Sequence, residues 1–480
     1  MNEEIKKYSE LAEGWIREHR EELIEEIRGL VKIPSVSRKE LAAPGAPFGP
    51  DCRRMLDYMM ERGAYYGFRT RDLDGYAAVV ASGNEEETLG IIAHLDVVPV
   101  GDGWIYPPFE ATYLPEHDAL IGRGVDDDKG PAAMGLFVMR MLRDLKIPMK
   151  HGIELYCGVS EETGMQDMQA LVKRGNAFPK LSLVPDAGFP ANYAQKGSLN
   201  VWITADASGN LVEFSSGSAF NIIPDKAFAV LSEDEAAVKE AAKKLPEELC
   251  RILTIEGAAN GTKVTAQGVS GHAAFPEGST NAIMLLAKAL TEMEVLKGNA
   301  KEAVKALAFL SADSFCISED AAYSDEVSGK TTLVYSMAGL KDGVLRVGID
   351  SRFSISYDSK RYTEKLTKAW NGCGFMVESI DVSEPFYMPK DDPRIQALQE
   401  IYHEITGRDE EPYTMGGGTY SRVVPNAISF GPGLPGGPQA DFLPEGHGGA
   451  HGRDEVLFLE KLIAAMKIYF ISFIMLDRIA

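Results

Sequence analysis

The sequence predicts an α/β domain with a mainly parallel sheet, interrupted by an inserted α+β domain. Three observations predict it. Up to Asp186, short apolar runs alternate with segments of helical period, as in strand–helix units around a parallel sheet. After about Ala187 the pattern changes to alternating strands and separate helices. Near Pro385 a helical pattern returns, and glycine-rich loops follow it. The expected division is 1–187 and 385–480 for the first domain and 188–384 for the insertion.

The elements follow in chain order. Trp15, Ile16, Leu23, Ile24, Ile27, Leu30 and Val31 recur near helical spacing and predict an amphipathic first helix. "YAAVVAS" and "LGIIAHLDVVP" are apolar enough for buried strands. "GPAAMGLFVMRMLRDL" has the wide apolar face of a packed helix, and "GIELYCGVS" and "LSLVPD" are strands again. In the insertion, "SLNVWITADAS" and "GTKVTAQGVS" alternate as half-buried strands. "NAIMLLAKALTEMEVL" and "YTEKLTKAWNGCGF" are helical, and "TTLVYSMAGLKDGVLRVGIDSRFS" predicts a hairpin turning at Lys341-Asp342-Gly343. "DPRIQALQEIYHEITG" opens the returning segment as a helix. The terminal "LIAAMKIYFISFIML" contains Lys467 and is short for a bilayer, so a packed helix is expected.

Composition narrows the function classes. The net charge of −22 argues against nucleic acid or an anionic membrane as a partner. Cys52, Cys157, Cys250, Cys316 and Cys373 are scattered, odd in number and form no CxxC pair, which suits free thiols in a reducing cytoplasm. "MNEEIKKYSE" has no apolar h-region, so no secretory signal is expected.

Chemistry concentrates at strand ends. "GRGVDDDKG" sets Asp126, Asp127 and Asp128 side by side, where adjacent like charges repel unless water or a cation screens them. A solvated turn would look the same. His94 closes an apolar strand with Asp96 two residues on, a spacing that lets a carboxylate accept the free imidazole N–H while the other nitrogen binds metal. A buried structural pair would also fit. Glu161 and Glu162 follow another strand, where either a cation or a helix N-terminus could balance them. Asp186 follows a third, and before glycine it could be an ordinary turn aspartate. In open α/β sheets, ligands bind at the carboxyl ends of strands. Four such clusters at one kind of position point to a site.

"HLDVVP", "GRGVDDDKGP", "SEETG", "PDAGFP", "SGHAAFP", "GGGTY" and "HGRDE", in this order, resemble the M20 metallopeptidases over nearly the whole chain. The resemblance is to their long dipeptidase branch, the PepV-like dipeptidases, which includes carnosine-hydrolysing members. It implies a di-metal catalytic domain with an inserted lid. The bridging aspartate falls on Asp127, with Asp126 a solvent-facing bystander and Asp128 joined to Asp127 by a cis peptide bond. One ion would take His94, Asp127 and Asp186; the other would take Asp127, Glu162 and His451. His447 rivals His451, but the pattern puts histidine four residues before the glutamate of "DE", which selects His451.

Imidazole and carboxylate ligands suit two divalent ions, zinc first, with manganese or cobalt as alternatives. With a bridging hydroxide, three ligand carboxylates would leave that site neutral. Glu161 matches the family's general base and Asp96 the residue that sets the histidine. His272, from the insertion, is expected to donate to the oxyanion. Asn221, Arg352, Gly416 and Gly417 are expected at the substrate, with Arg352 on its carboxylate. The implied activity is hydrolysis of dipeptides by a metal-bridged water in a cytoplasmic monomer. The alternatives are another amide hydrolase, either an N-acyl amino acid deacylase or a carboxypeptidase, or a non-catalytic metal- or peptide-binding protein. The intact Glu161 argues against the last.

Overall fold

The computed structural model describes residues 3–479. The chain divides into two compact units. One comprises residues up to Tyr193, Met388–Tyr413 and Thr419 onward; the other comprises Ala194–Tyr387 with Thr414–Gly418.

The first unit opens with the helix Glu3–Val31, which begins well before Trp15. Its early turns are mostly charged, so only Ile5, Ser9 and Ala12 continue the buried stripe toward the amino end. Glu3 and Glu4 at its start and Arg28 near its end complement the helix dipole. The unit's main sheet runs Arg69–Asp72, Ala77–Ser82, Gly152–Gly158, Thr88–His94, Leu181–Val184, Ala427–Ser429. The last four strands in this order are parallel. The flanks are antiparallel: Ala77–Ser82 against Gly152–Gly158 on one side, Ser429 opposite Asn192 on the other. Both antiparallel contacts join segments far apart in the chain, and the parallel pairs likewise need long crossovers.

One crossover is the helix Lys129–Asp144, buried along most of its length. Gly135 brings this helix close to the sheet: a Cβ there would lie 3.2 Å from both Ile91 and Leu155. The terminal helix Leu459–Ile479 buries Leu462, Met466, Tyr469, Phe470 and Phe473. No helix among the described residues is long and apolar enough to cross a membrane.

The second unit has an eight-stranded sheet whose neighbours are all antiparallel. Its core joins Val201, Ile203, Phe214 and Val347 of the strands to Leu286, Leu307 and Trp370 of the helices. The hairpin Thr332–Lys341/Val344–Phe353 turns on Asp342 and Gly343. Both have positive φ, 51° and 75°, as a two-residue turn matched to strand twist requires. The chain is thus an α/β domain interrupted by an inserted α+β domain.

Candidate active site

Parallel register brings distant residues to one sheet edge. His94 and Gly158 end neighbouring strands directly opposite each other. Glu161 and Glu162 follow Gly158, and Asp186 follows the adjoining strand Leu181–Val184.

His94 is buried, and its Nδ1 lies 3.0 Å from the Asp96 main-chain oxygen. That contact makes Nδ1 the donor and turns the Nε2 lone pair toward the site. The Asp96 carboxylate was expected to be the acceptor, but it is 3.5 Å from Nδ1. It instead accepts the amides of Glu161 and Glu162, each at 3.1 Å. The strand ends at His94, so its alternation does not carry through to Asp96.

Asp127 stands between two imidazoles. Its Oδ1 is 2.9 Å from His94 Nε2 and its Oδ2 is 2.9 Å from His451 Nε2. His451 Nε2 is also 3.0 Å from Glu162 Oε2, and Asp186 Oδ2 is 4.0 Å from His94 Nε2. The peptide bond between Asp127 and Asp128 is cis. His451 has φ +60°, an uncommon conformation for a non-glycine residue. His447 is turned elsewhere, with Nδ1 2.5 Å from Asp454 Oδ2. Asp126 does not simply face solvent. It lines a cavity of about 510 Å³ that also includes His447 and Lys461. Burial, then Glu455 and Asp127, push its carboxyl up to about 7.

Two trios can bring ligand atoms within 4.8 Å of one another: His94, Glu161 and Asp186, and His94, Asp127 and Glu162. Glu161, expected to be free of metal, belongs to the first. Electrostatics reflect the crowding. Burial raises Glu161 and Asp186 well above the carboxylate range, and neighbouring carboxylates add to it. Burial raises Glu162 too, against its hydrogen bond from His451. Burial opposes charge on His94, but the hydrogen bond to Asp127 and the nearby Asp96 carboxylate outweigh it and raise the imidazole. His451 is lifted to about 11 by hydrogen bonds to Asp127 and then Glu162. Asp127 is lowered: both histidines overcome its burial.

Several supporting residues escaped sequence reasoning. Buried Glu455 accepts the amides of Gly124, Asp126 and Asp127 at 2.9–3.1 Å and pairs with Arg123 at 2.7 Å. It thereby holds the aspartate-rich loop. Its only sequence signal was its place in "HGRDE". Buried Lys129 donates to the carbonyls of Leu30 and Ile33. Asp167 and Tyr420, buried and hydrogen-bonded to each other, had no signal beyond lying near "SEETG" and within "GGGTY".

The second unit gathers the remaining candidates. His272 and Ile222 pair across two short strands, and the Asn221 main-chain oxygen accepts the Ala273 amide at 2.8 Å. His272 Nδ1 accepts the Ala274 amide at 3.1 Å, which leaves the proton on Nε2. Burial and then the Arg352 charge lower its pKa, so the ring is neutral at pH 7. Arg352 spends Nε and Nη2 on buried Asp350, at 2.9 and 2.8 Å, and Nη1 is 3.4 Å from the Gly416 oxygen. The expected grip on a carboxylate is thus limited to the guanidinium's outer edge. A Cβ on Gly416 would lie 2.9 Å from Ala274, whereas Gly417 meets only Met415, at 4.0 Å.

The signature of Peptidase family M20/M25/M40 matches residues 90–471. YtjP of Bacillus subtilis (strain 168), which carries the name of a candidate dipeptidase, is 29% identical over 462 residues, 94% of this chain and 96% of that protein. Among solved structures, human carnosine dipeptidase 1 covers 99% of both chains at 14% identity with a TM-score of 0.59. The dipeptidase Dug1p of Saccharomyces cerevisiae covers 100% of this chain and 99% of its own at 13% identity, also with a TM-score of 0.59. At those identities the likeness to the solved structures is one of fold.

Proposed function

The chain belongs to peptidase family M20/M25/M40, and from that premise we propose that it is a dipeptidase working with two divalent cations. The observation that carries this reading is the convergence of His94, Asp127, Glu161, Glu162, Asp186 and His451 at one sheet edge. The donor set fits such ions: imidazole nitrogens and carboxylate oxygens, with no thiolate. Asp127, Glu162 and Asp186 bring −3 against the +4 of two divalent cations. His94, Asp127 and Asp186 would hold one cation, and Asp127, Glu162 and His451 the other. Bound there, they would acidify water and polarise the scissile carbonyl.

The chain's own groups would do the rest. Glu161 takes the proton from the attacking water on its carboxylate and returns it to the leaving amine. Asp96 holds the Glu161 and Glu162 amides, fixing both side chains at their root. His272 donates Nε2–H to the developing oxyanion. The outer edge of Arg352 takes the substrate's terminal carboxylate, and Asn221, Gly416 and Gly417 line its backbone. The inserted unit would act as a lid that excludes water and long peptides. Five free cysteines agree with a cytoplasmic setting.

The test is hydrolysis of a dipeptide panel, beside N-acyl amino acids and longer peptides, with zinc, manganese or cobalt and with a chelator. Dipeptide cleavage that the chelator abolishes supports the reading. Turnover confined to N-acyl amino acids or to the ends of long peptides replaces it with the deacylase or carboxypeptidase alternative.

A further inference from the structure

Asp167 lies in the first turn of the helix Gln166–Lys173, fully buried. Its Oδ2 accepts three donors: the amides of Val159 and Ser160 at 2.6 and 2.9 Å and the Tyr420 hydroxyl at 2.6 Å. Its Oδ1 accepts the Met168 amide at 2.7 Å. The next two amides along the chain, those of Glu161 and Glu162, go to Asp96. Four consecutive N–H groups, 159 to 162, are therefore aimed at two buried carboxylates. Tyr420 is buried as well, and its ring stands edge-on to His94, with centroids 6.4 Å apart and planes at 86°. Gly158 makes room for this arrangement, because a Cβ there would overlap both the Tyr420 hydroxyl and the Asp167 carboxylate.

We propose that Asp167 and Tyr420 are a positioning pair that sets the Glu161–Glu162 segment and couples it to His94. The inference rests on the dipeptidase reading for the role of Glu161. It extends that reading to two residues outside the set assigned to the cations and the substrate. A general base works only within hydrogen-bond reach of its proton, and small displacements are costly. A carboxylate with three donors on one oxygen leaves the backbone feeding Glu161 little freedom. The Tyr420 hydroxyl is the one donor of the three that comes from a remote segment, 253 positions away.

Tyr420→Phe removes one hydroxyl and keeps the ring, so it is the variant of choice. In the metal-loaded full chain, kcat for a dipeptide should fall about tenfold, in the range for supporting residues of a metal site, with metal content unchanged. KM should stay within about twofold, because ground-state binding is untouched. Amide hydrogen exchange, read by mass spectrometry, should quicken over residues 158–165 and nowhere else in the first unit. Asp167→Asn, which keeps an acceptor oxygen, should retain more kcat than Asp167→Ala. Parent-like kcat and exchange in Tyr420→Phe overturn the proposal. So does a kcat loss that simply follows melting temperature across the three variants, since that marks a plain structural role. Faster exchange with parent-like kcat also overturns it. An inactive parent would instead sink the dipeptidase reading, and the exchange measurement would still decide whether the pair fixes the segment.

Discussion

Glu161 and Glu162 are adjacent, yet they meet different partners. Glu162 reaches His451, whereas Glu161 groups with His94 and Asp186. Burial with like charges nearby raises Glu161 well above the usual carboxylate range. Glu161→Gln preserves size but cannot take the proton. We expect metal content near that of the parent by elemental analysis and kcat lower by at least about 10²-fold. Loss of metal in this variant would make Glu161 a ligand and move the proton-transfer role to Glu162. Asp127 faces both histidines at once, so Asp127→Ala should be the most damaging ligand substitution for metal content, measured the same way.

Among the elements, the terminal helix is anchored by a charge near its end. Asp477 accepts the amides of Lys150 and His151 at 2.8–3.0 Å, and His151 Nδ1 lies 3.0 Å from the same carboxylate. Burial opposes ionisation, but the amides of Lys150 and then His151 outweigh it and lower the carboxyl below its ordinary 3.8. A carboxylate depressed on folding contributes stability that is present above its unfolded value and lost as pH falls through its folded value. Asp477→Asn should therefore be less stable than the parent at neutral pH. Denaturant midpoints across pH 2–7 should converge only below about 4, where the parent's carboxylate also protonates. A gap unchanged at low pH would mean that the ionised form adds nothing.

For the whole molecule, two consequences join the site to the fold. The carboxylates of the first unit repel one another, so cations that bind the folded chain should stabilise it. Saturation at a thousandfold above the dissociation constant is worth about 4 kcal/mol. A chelator should lower the melting temperature as well as abolish activity, and added divalent metal should restore both; an unchanged melting temperature in chelator would separate the site from stability. The second unit holds His272 as a neutral donor beside Arg352. His272→Ala should leave metal bound and reduce kcat about 10²–10³-fold, the usual loss for one oxyanion donor. The parent should prefer a dipeptide to its C-terminal amide and to a pentapeptide. Efficient pentapeptide cleavage would remove the lid from the reading, and an unimpaired His272→Ala would make that residue a bystander.

Local pattern in the sequence determined the strands and helices, the interruption of the α/β domain by an α+β insertion, and the placing of chemistry at strand ends. Those signals survive because side-chain period and turn chemistry act over a few residues. The helix start at Glu3 was hidden where charge diluted the stripe. The partners across the site were decided only in three dimensions. Asp96 gives its carboxylate to the amides of Glu161 and Glu162, Glu455 holds the loop of Asp127 from more than three hundred residues away, and Asp350 occupies one edge of Arg352. Asp126, a bystander by its motif, lines a cavity. Each depends on which buried donor finds which acceptor once water is excluded. That pairing is set by the packing of remote segments, and the spacing along the chain does not record it.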